Sequence, residues 1–142
     1  MKLSTKVRYG LRLAIYFAKN YDRGYIQLSE VSKFERISLK YLEQIIVYLK
    51  NSKIVTSQRG SKGGYKLSKE PKNITVKEII ESIEGPIKII ECLDKKNCFK
   101  INNCESFIIW KKLNEAINNT LQNTTLEDLI NNFKKNTLFY EI

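Results

Sequence analysis

The fold of this chain is decided by one stretch, residues 37–67, which reads ISLKYLEQIIVYLKNSKIVTSQRGSKGGYKL. Its first part predicts a helix, because Ser38 is a good N-cap and apolar residues then recur at helical spacing up to about Lys50. The apolar stripe of this helix consists of Leu39, Leu42, Ile45, Ile46 and Leu49. The opposite face is polar, so the helix can bury one side and present the other to a partner.

A β-hairpin is predicted directly after this helix. One strand covers Ile54–Gln58 and a returning strand covers Tyr65–Leu67. The tip between them, residues 59–64, contains three glycines, which supply the unusual backbone angles of a tight turn. A polar-faced helix followed by such a hairpin is typical of a helix-turn-helix that carries a wing.

Two more helices are predicted before this stretch. Ser4 caps a helix that continues to Asn20, and a second helix runs from about Gln27 to Phe34. Its inward residues are expected to be Leu28, Val31 and Phe34. Three helices and a hairpin make a mainly α fold, a winged helix-turn-helix, in which the third helix enters the major groove of DNA.

The second half of the chain predicts helices separated by an irregular segment. A capping box, Thr75-x-x-Glu78, opens a helix to about Ile83, and residues 87–103 show no period. A long amphipathic helix is then marked by Ile109, Leu113, Ile117 and Leu121. A second capping box, Thr124-x-x-Glu127, opens a last helix to about Phe133. We therefore expect two domains, residues 1–72 and residues 73–142.

Charge separates the same two halves. The net charge is +10, and residues 1–72 hold 16 Lys/Arg against 5 Asp/Glu, whereas residues 73–142 hold 9 against 10. The natural partner of such a basic half is a nucleic acid or an anionic membrane surface. The sequence shows neither a signal peptide nor an apolar run long enough to span a membrane, so we expect a cytoplasmic protein.

The start of the third helix carries the side chains that can read DNA. Ser38, Lys40, Tyr41 and Gln44 can all hydrogen-bond to base edges, with Gln suited to adenine and Lys to guanine. Glu43 on the same face repels phosphates, yet it can accept from cytosine or exclude wrong sequences.

The tip of the hairpin adds a second group of candidate DNA contacts. Arg59 suits a narrow minor groove, where the negative potential is enhanced. Lys62 and Lys66 are expected to hold phosphates, with Ser61 between the tip cations.

Three cysteines, Cys92, Cys98 and Cys104, follow the spacing Cys-x5-Cys-x5-Cys. Structural zinc sites usually bring their ligands in closer pairs, so this spacing points away from a zinc ribbon. Three thiolates can hold three corners of an iron–sulfur cluster, and nearby lysines at 95, 96 and 100 would offset its charge. Zinc binding, thiol-redox sensing and three unrelated thiols remain open from the residues alone.

The sequence resembles the Rrf-type winged-helix transcriptional regulators, and within them the IscR-like iron–sulfur cluster branch. The resemblance rests on MKLSTKxRYG at the start, ISLKYLEQ at residues 37–44, RGxxGGYxL at residues 59–67 and the cysteine spacing. It implies a homodimer formed through a long crossing helix, here about Glu105–Asn123, and a palindromic double-stranded DNA operator.

The resemblance also implies roles for single residues. Ser38, Lys40, Tyr41, Gln44 and Arg59 would contact DNA, and Glu43 would penalise certain operators until the cluster rearranges the helix. Cys92, Cys98 and Cys104 would ligate the cluster, within a sensor loop at about residues 87–104.

This chain departs from the IscR-like branch at the position of the fourth cluster ligand. The branch supplies a histidine three residues after the third cysteine, where this chain has Phe107, and the chain contains no histidine. Nitric-oxide-sensing relatives use a carboxylate of the partner's first helix, where this chain has Arg8. The fourth ligand is therefore open among Asp94, Glu105, Ser106, a solvent species, a small thiol and a partner residue. A [4Fe–4S] cluster is favoured over [2Fe–2S], because a cubane needs only one ligand per iron.

The sequence thus predicts an iron–sulfur-sensing, sequence-specific DNA-binding regulator, expected to be a repressor, of iron–sulfur biogenesis or iron and redox homeostasis genes. The alternative is a cluster-free winged-helix regulator that uses its cysteines for zinc or thiol-redox sensing, or that responds to a partner protein. An enzyme is not expected, because a nucleophilic cysteine usually needs a nearby base such as His, and none exists.

Overall fold

The computed structural model describes residues 2–93, 100 and 103–140, with side chains through residue 135. Its helices and strands are α1 (Thr5–Lys19), α2 (Leu28–Glu35), α3 (Leu39–Asn51), β1 (Val55–Gln58), β2 (Gly64–Leu67), α4 (Val76–Glu84), α5 (Glu105–Gln122) and α6 (Leu126–Tyr140). This order confirms the mainly helical fold with one small hairpin. In the described part of the chain, no helix is long and apolar enough to cross a membrane.

Side-chain caps start the helices where the sequence predicted them. The Ser4 hydroxyl accepts from the backbone N–H of Val7 at 3.2 Å, and Ser38 caps α3 in the same way. At α4, Thr75 and Glu78 exchange both hydrogen bonds of a capping box, at 3.1 and 3.0 Å. Each cap satisfies backbone donors that a helix start leaves without partners.

The last helix begins and ends later than predicted. The observed capping box pairs Thr125 with Asp128, not Thr124 with Glu127, because the Thr124 hydroxyl donates back to the Thr120 carbonyl of α5. Helix α6 also continues beyond Phe133 to Tyr140, since neither Pro nor Gly interrupts the residues between them.

A single apolar core is built around α1. Fully buried side chains from α1, α3, α4 and α6 meet in it, and the largest of them include Phe17, Leu42, Ile79 and Leu126. At Gly10 of α1, an added Cβ would collide with the end of the Ile83 side chain of α4. The missing side chain therefore permits the close contact between α1 and α4.

Two predicted core residues are exposed. Phe34 is 69% exposed, although it was expected to point inward with Leu28 and Val31. Six residues of helix turn Phe34 about 120° away from Leu28, so its ring lies outside the core against Tyr16, at a centroid distance of 5.2 Å. Leu39 is 40% exposed, because it is the first residue of α3 and no second element covers it completely.

A polar cluster outside the core ties α1 to α2. The Tyr16 hydroxyl donates to Glu30 at 2.7 Å, and both terminal nitrogens of Arg23 donate to the same carboxylate. The Arg23 guanidinium and the Tyr16 hydroxyl hold the pKa of the Glu30 carboxyl below its ordinary value. Burial, together with Glu30, raises the pKa of Tyr16. The cluster therefore favours an ionised Glu30 in the folded state.

The hairpin is fixed to the helical part through α2. Strands β1 and β2 are antiparallel, with Val55 opposite Leu67 and Gln58 opposite Gly64. Tyr65 and Ile26, which precedes α2, exchange backbone hydrogen bonds of 2.9 and 2.8 Å. Gly64, with φ +143°, lies so close to the backbone of Ile26 that a Cβ would collide with it. A glycine is therefore required where the wing joins α2.

We expect Gly64→Ala to lower the free energy of unfolding by about 3 kcal/mol, because a backbone collision adds to an unfavourable φ. Gly60→Ala is the matched control: its φ is +107°, but an added Cβ would meet open space. That variant should lose only about 1 kcal/mol, from backbone strain alone. Denaturant unfolding followed by circular dichroism measures both, and equal losses would contradict the collision.

Candidate nucleic-acid interface

The first turns of α3 present polar side chains to solvent. Ser38, Lys40, Glu43 and Gln44 are exposed, whereas Tyr41 is half-buried. The Ser38 hydroxyl accepts from the Tyr41 N–H at 3.1 Å, so its predicted DNA contact shares the oxygen with a helix cap. The opposite side of α3 is anchored in the core by Leu42, Ile45, Ile46 and Leu49. The polar start of this helix is therefore held rigidly at the surface.

Helix α1 contacts both ends of this polar face. The ring of Tyr9 packs edge-on against Tyr41, with centroids 5.8 Å apart and an interplanar angle of 86°. Farther along α3, Tyr48 accepts a 3.4 Å hydrogen bond from Lys6, whose amine also lies over its ring. The sequence alone does not predict these α1 contacts, because a contact between residues so far apart in the chain leaves no local pattern.

The wing tip carries free positive charge. Arg59, Ser61 and Lys62 are exposed. Among the residues that the structure describes, no salt bridge involves Lys40, Arg59 or Lys62. Lys66, by contrast, is half-buried, and its amine lies 4.7 Å from the centre of the Tyr25 ring. The tip cations are therefore more available to phosphates than Lys66 is.

A cleft that the sequence did not reveal lies between the wing and α2. It has a volume of about 360 Å³, and its lining includes Gln27, Ser29, Lys33 and Lys62. The Gln27 amide spans it and donates to the Ser61 carbonyl at 3.4 Å. The wing tip is thus positioned by α2 at its end as well as at its base.

The candidate metal site is described only in part. Cys92 is exposed and Cys104 is half-buried, whereas Cys98, Asp94, Lys95 and Lys96 lie outside the described residues. Among the residues that are described, no group of three metal-binding side chains comes together.

The path of the chain brings Cys92 towards Cys104. The backbone of Ile89 donates to Asn114 at 3.2 Å, and Asn118 donates to the Ile87 carbonyl at 3.3 Å. Residues 87 and 89 therefore run antiparallel to α5, towards its first turn, and Cys104 is the N-cap of that helix.

The thiol of Cys104 is suited to metal binding. A hydrogen bond with the Ser106 hydroxyl, 3.2 Å away, lowers its pKa, and the Phe107 backbone N–H and the charge of Lys100 act in the same direction. A lower pKa favours the thiolate, which is the form that ligates metals. The donor chemistry of the described cysteines therefore fits an iron–sulfur cluster. Of the candidate fourth ligands, Glu105 and Ser106 are exposed next to Cys104.

Helix α5 has an apolar stripe without a partner in the described chain. No residue of α5 is buried, and Ile109 and Leu113 are 52% and 44% exposed. Ala116 and Thr120 are exposed as well and complete a stripe within about 60° of the helix circumference. A stripe of this kind on a long helix is the pattern expected for a helix–helix interface.

Comparison with known proteins places this architecture in a family. A family model described as Rrf2, iron-dependent transcriptional regulator, matches residues 3–132. The HTH-type transcriptional regulator CymR of Bacillus subtilis (strain 168) is 40% identical over 129 residues, covering 91% of this chain and 89% of CymR. The HTH-type transcriptional regulator IscR of Klebsiella pneumoniae (strain 342) is 34% identical over 132 residues, covering 93% of this chain and 81% of IscR.

A solved structure agrees with these sequence relatives. CymR, described as the global cysteine regulator of B. subtilis, superimposes with a TM-score of 0.77 at 38% identity, over 91% of this chain and 95% of that chain. These relatives are transcriptional regulators and not enzymes, in agreement with the prediction that this chain is not an enzyme. The chain therefore belongs to the Rrf2 family of winged-helix, DNA-binding transcriptional regulators.

Proposed function

We propose that this regulator reads a palindromic operator as a homodimer and that an iron–sulfur cluster on Cys92, Cys98 and Cys104 controls its binding. The observation that carries the DNA-reading part is the start of α3, where Lys40, Glu43 and Gln44 are exposed on a helix whose other side is locked in the core. It acts in the cytoplasm, where its DNA lies. Residues 1–72 form the DNA-binding domain, and residues 73–142 carry the sensor and the dimer contacts.

Each DNA-binding side chain has a separate task. Lys40, Tyr41 and Gln44 contact base edges in the major groove, where hydrogen bonds discriminate between base pairs. Glu43 disfavours operators that bring a phosphate or an acceptor close to it. Arg59 enters the minor groove, while Ser61 and Lys62 hold the adjacent backbone. The tip cations are exposed and form no salt bridge with any residue that the structure describes, which supports these tasks.

The cluster supplies a signal, because its assembly depends on iron supply and its stability on oxidants. Cys92, Cys98 and Cys104 each provide one thiolate, and the lowered pKa of Cys104 supports this role. The fourth ligand is open among Asp94, Glu105, Ser106, a solvent species, a small thiol and a partner residue, and a [4Fe–4S] cluster is favoured over [2Fe–2S]. The expected mode is repression of genes for iron–sulfur biogenesis or for iron and redox homeostasis.

A second candidate function follows from the absence of histidine and from the similarity to CymR. In this alternative the protein holds no cluster, and the Cys104 thiol, or zinc on the cysteines, senses the signal. CymR is described as a regulator of cysteine, so the genes controlled in this alternative concern sulfur metabolism. Metal analysis separates the two candidates.

For DNA reading, we expect Arg59→Ala to weaken binding to a duplex selected by this protein from a random library by about tenfold. Lys135→Ala removes the same charge from an exposed position of α6 and should change the affinity by less than about twofold. Affinity measured by fluorescence anisotropy should also fall steeply with salt, because phosphate contacts release counterions. An affinity that depended on neither Arg59 nor salt would contradict this interface.

For the sensor, protein reconstituted without oxygen should be brown and should contain iron and acid-labile sulfide in about equal amounts. Cys98→Ser should lose both, whereas Ser61→Ala, which alters a wing hydroxyl, should keep both. Absorption spectra and elemental analysis measure the outcome. A colourless protein that contains zinc or no metal would overturn the cluster and leave the cluster-free regulator.

For the dimer, Leu113→Glu should place a charge in the α5 stripe and shift the protein from dimer to monomer in light scattering. Asn119→Glu adds the same charge to an exposed polar position of α5 outside the stripe and should remain a dimer. If both variants stayed dimeric, the interface would lie elsewhere.

A further inference from the structure

We propose that Tyr9 and Arg12 of α1 are positioning residues that hold the start of the recognition helix α3 and thereby set its sequence specificity. The inference rests on the proposed DNA reading by α3. Neither residue is assigned to contact DNA. Both act through other side chains, Tyr9 through Tyr41 and Arg12 through Glu35.

The first link connects α1 to α3. Tyr41 is the third residue of α3, in the turn that carries the base-reading side chains. Its half-buried ring packs against the Tyr9 ring in a T-shaped pair, with the two rings nearly perpendicular at 86°. Edge-to-face aromatic pairs have a preferred geometry, so this contact restricts the rotamer of Tyr41 and the helix turn behind it.

The second link connects α1 to the end of α2. Arg12 lies one helical turn after Tyr9, and its guanidinium carbon is 5.3 Å from the centre of the Tyr9 ring. Its Nε and Nη2 donate to Glu35 Oε2 at 3.0 and 2.8 Å, and Nη2 also donates to the Glu35 carbonyl oxygen. Glu35 is the last residue of α2, so Arg12 satisfies a carbonyl that the helix end leaves without a partner.

The two links enclose the turn of the helix-turn-helix. Only residues 36–38 separate α2 from α3, and Arg36 adopts a left-handed conformation with φ 57° and ψ 44°. Ser32 donates to the Ile37 carbonyl at 2.6 Å and fixes the middle of the turn. With Glu35 held by Arg12 and Tyr41 held by Tyr9, the turn is fixed on both sides by one face of α1.

This arrangement predicts a loss of specificity in place of a general loss of binding. Base contacts require correct placement of the first turn of α3, whereas phosphate contacts tolerate small shifts. Tyr9→Leu should therefore weaken binding to the selected duplex by about tenfold. Binding to a duplex of unrelated sequence should change by less than about twofold, because it depends on charge.

A double-mutant cycle tests whether Tyr9 acts through Tyr41. In a Tyr41→Leu background, Tyr9→Leu should change the affinity for the selected duplex by less than about twofold, because the link is already broken. Tyr9→Phe keeps the ring and should behave as the wild type. An equal loss in both backgrounds would overturn the proposal, as would an equal loss on both duplexes.

Arg12→Gln supplies a second test that does not alter the core, since this side chain is 44% exposed. It should lower affinity for the selected duplex more than for the unrelated one. Lys19→Gln removes the same charge from the far end of α1 and should affect neither binding. Thermal unfolding shows whether each variant is folded. If Tyr9→Leu unfolds, the cycle is made at the second link: in a Glu35→Gln background, Arg12→Gln should change the affinity for the selected duplex by less than about twofold.

The wild type separates this inference from the proposed function. If the wild type selects no duplex from the library, DNA reading itself fails. If it selects one, and both Tyr9→Leu and Arg12→Gln bind the two duplexes as the wild type does, only the positioning roles of Tyr9 and Arg12 fail.

Discussion

The close approach of α1 to α3 and α4 is the contact on which the other features depend. At Gly10, α1 has no side chain, and the space that a Cβ would take is filled by the end of Ile83 from α4. Ile45 of α3 lies 3.4 Å from the same point. The buried face of α3 and the end of α4 therefore both pack against α1 at Gly10. Because Ile83 lies two residues before Gly85, the segment that leads to the cysteines starts from this contact.

The basic first half contains two kinds of cation with different tasks. Arg12 and Arg23 are engaged by Glu35 and Glu30, so their charge serves to connect α1, α2 and the turn between them. Lys40, Arg59 and Lys62 form no salt bridge within the described residues, and their charge faces solvent. Only the second kind can replace counterions on DNA. Net charge alone does not distinguish these two groups.

The segment that leads to the cysteines is held by α5 where it begins. Asn114 and Asn118 bind the backbone of Ile89 and Ile87, so the segment begins at a defined place along α5. CymR and IscR share the fold, and membership of the family therefore does not choose between a cluster and another signal. The choice depends on the donor set, which here has three thiols and no histidine.

Sequence by itself determined the features that depend on neighbours within about four residues. The caps at Ser4 and Ser38 and the capping box at Thr75 form between a side chain and a backbone group three residues away, so a short pattern suffices to predict them. The glycine-rich wing is predictable for the same reason. The apolar period also identified the buried stripe of α3, apart from the exposed Leu39.

Only the tertiary structure decided features whose partners are distant in the chain. Phe34 lies about 120° around α2 from Leu28, at the edge of an apolar face, so its exposure depends on how far α1 and α3 cover α2. The last capping box lies at Thr125 and not at Thr124, because the Thr124 hydroxyl is bound to the Thr120 carbonyl and Thr125 forms a β-bridge with the distant Thr75. The links from Tyr9 to Tyr41 and from Arg12 to Glu35 span 32 and 23 residues, a distance that no local pattern encodes. The side chains that α3 exposes therefore follow from its own sequence, whereas the contacts that fix its position are made by α1.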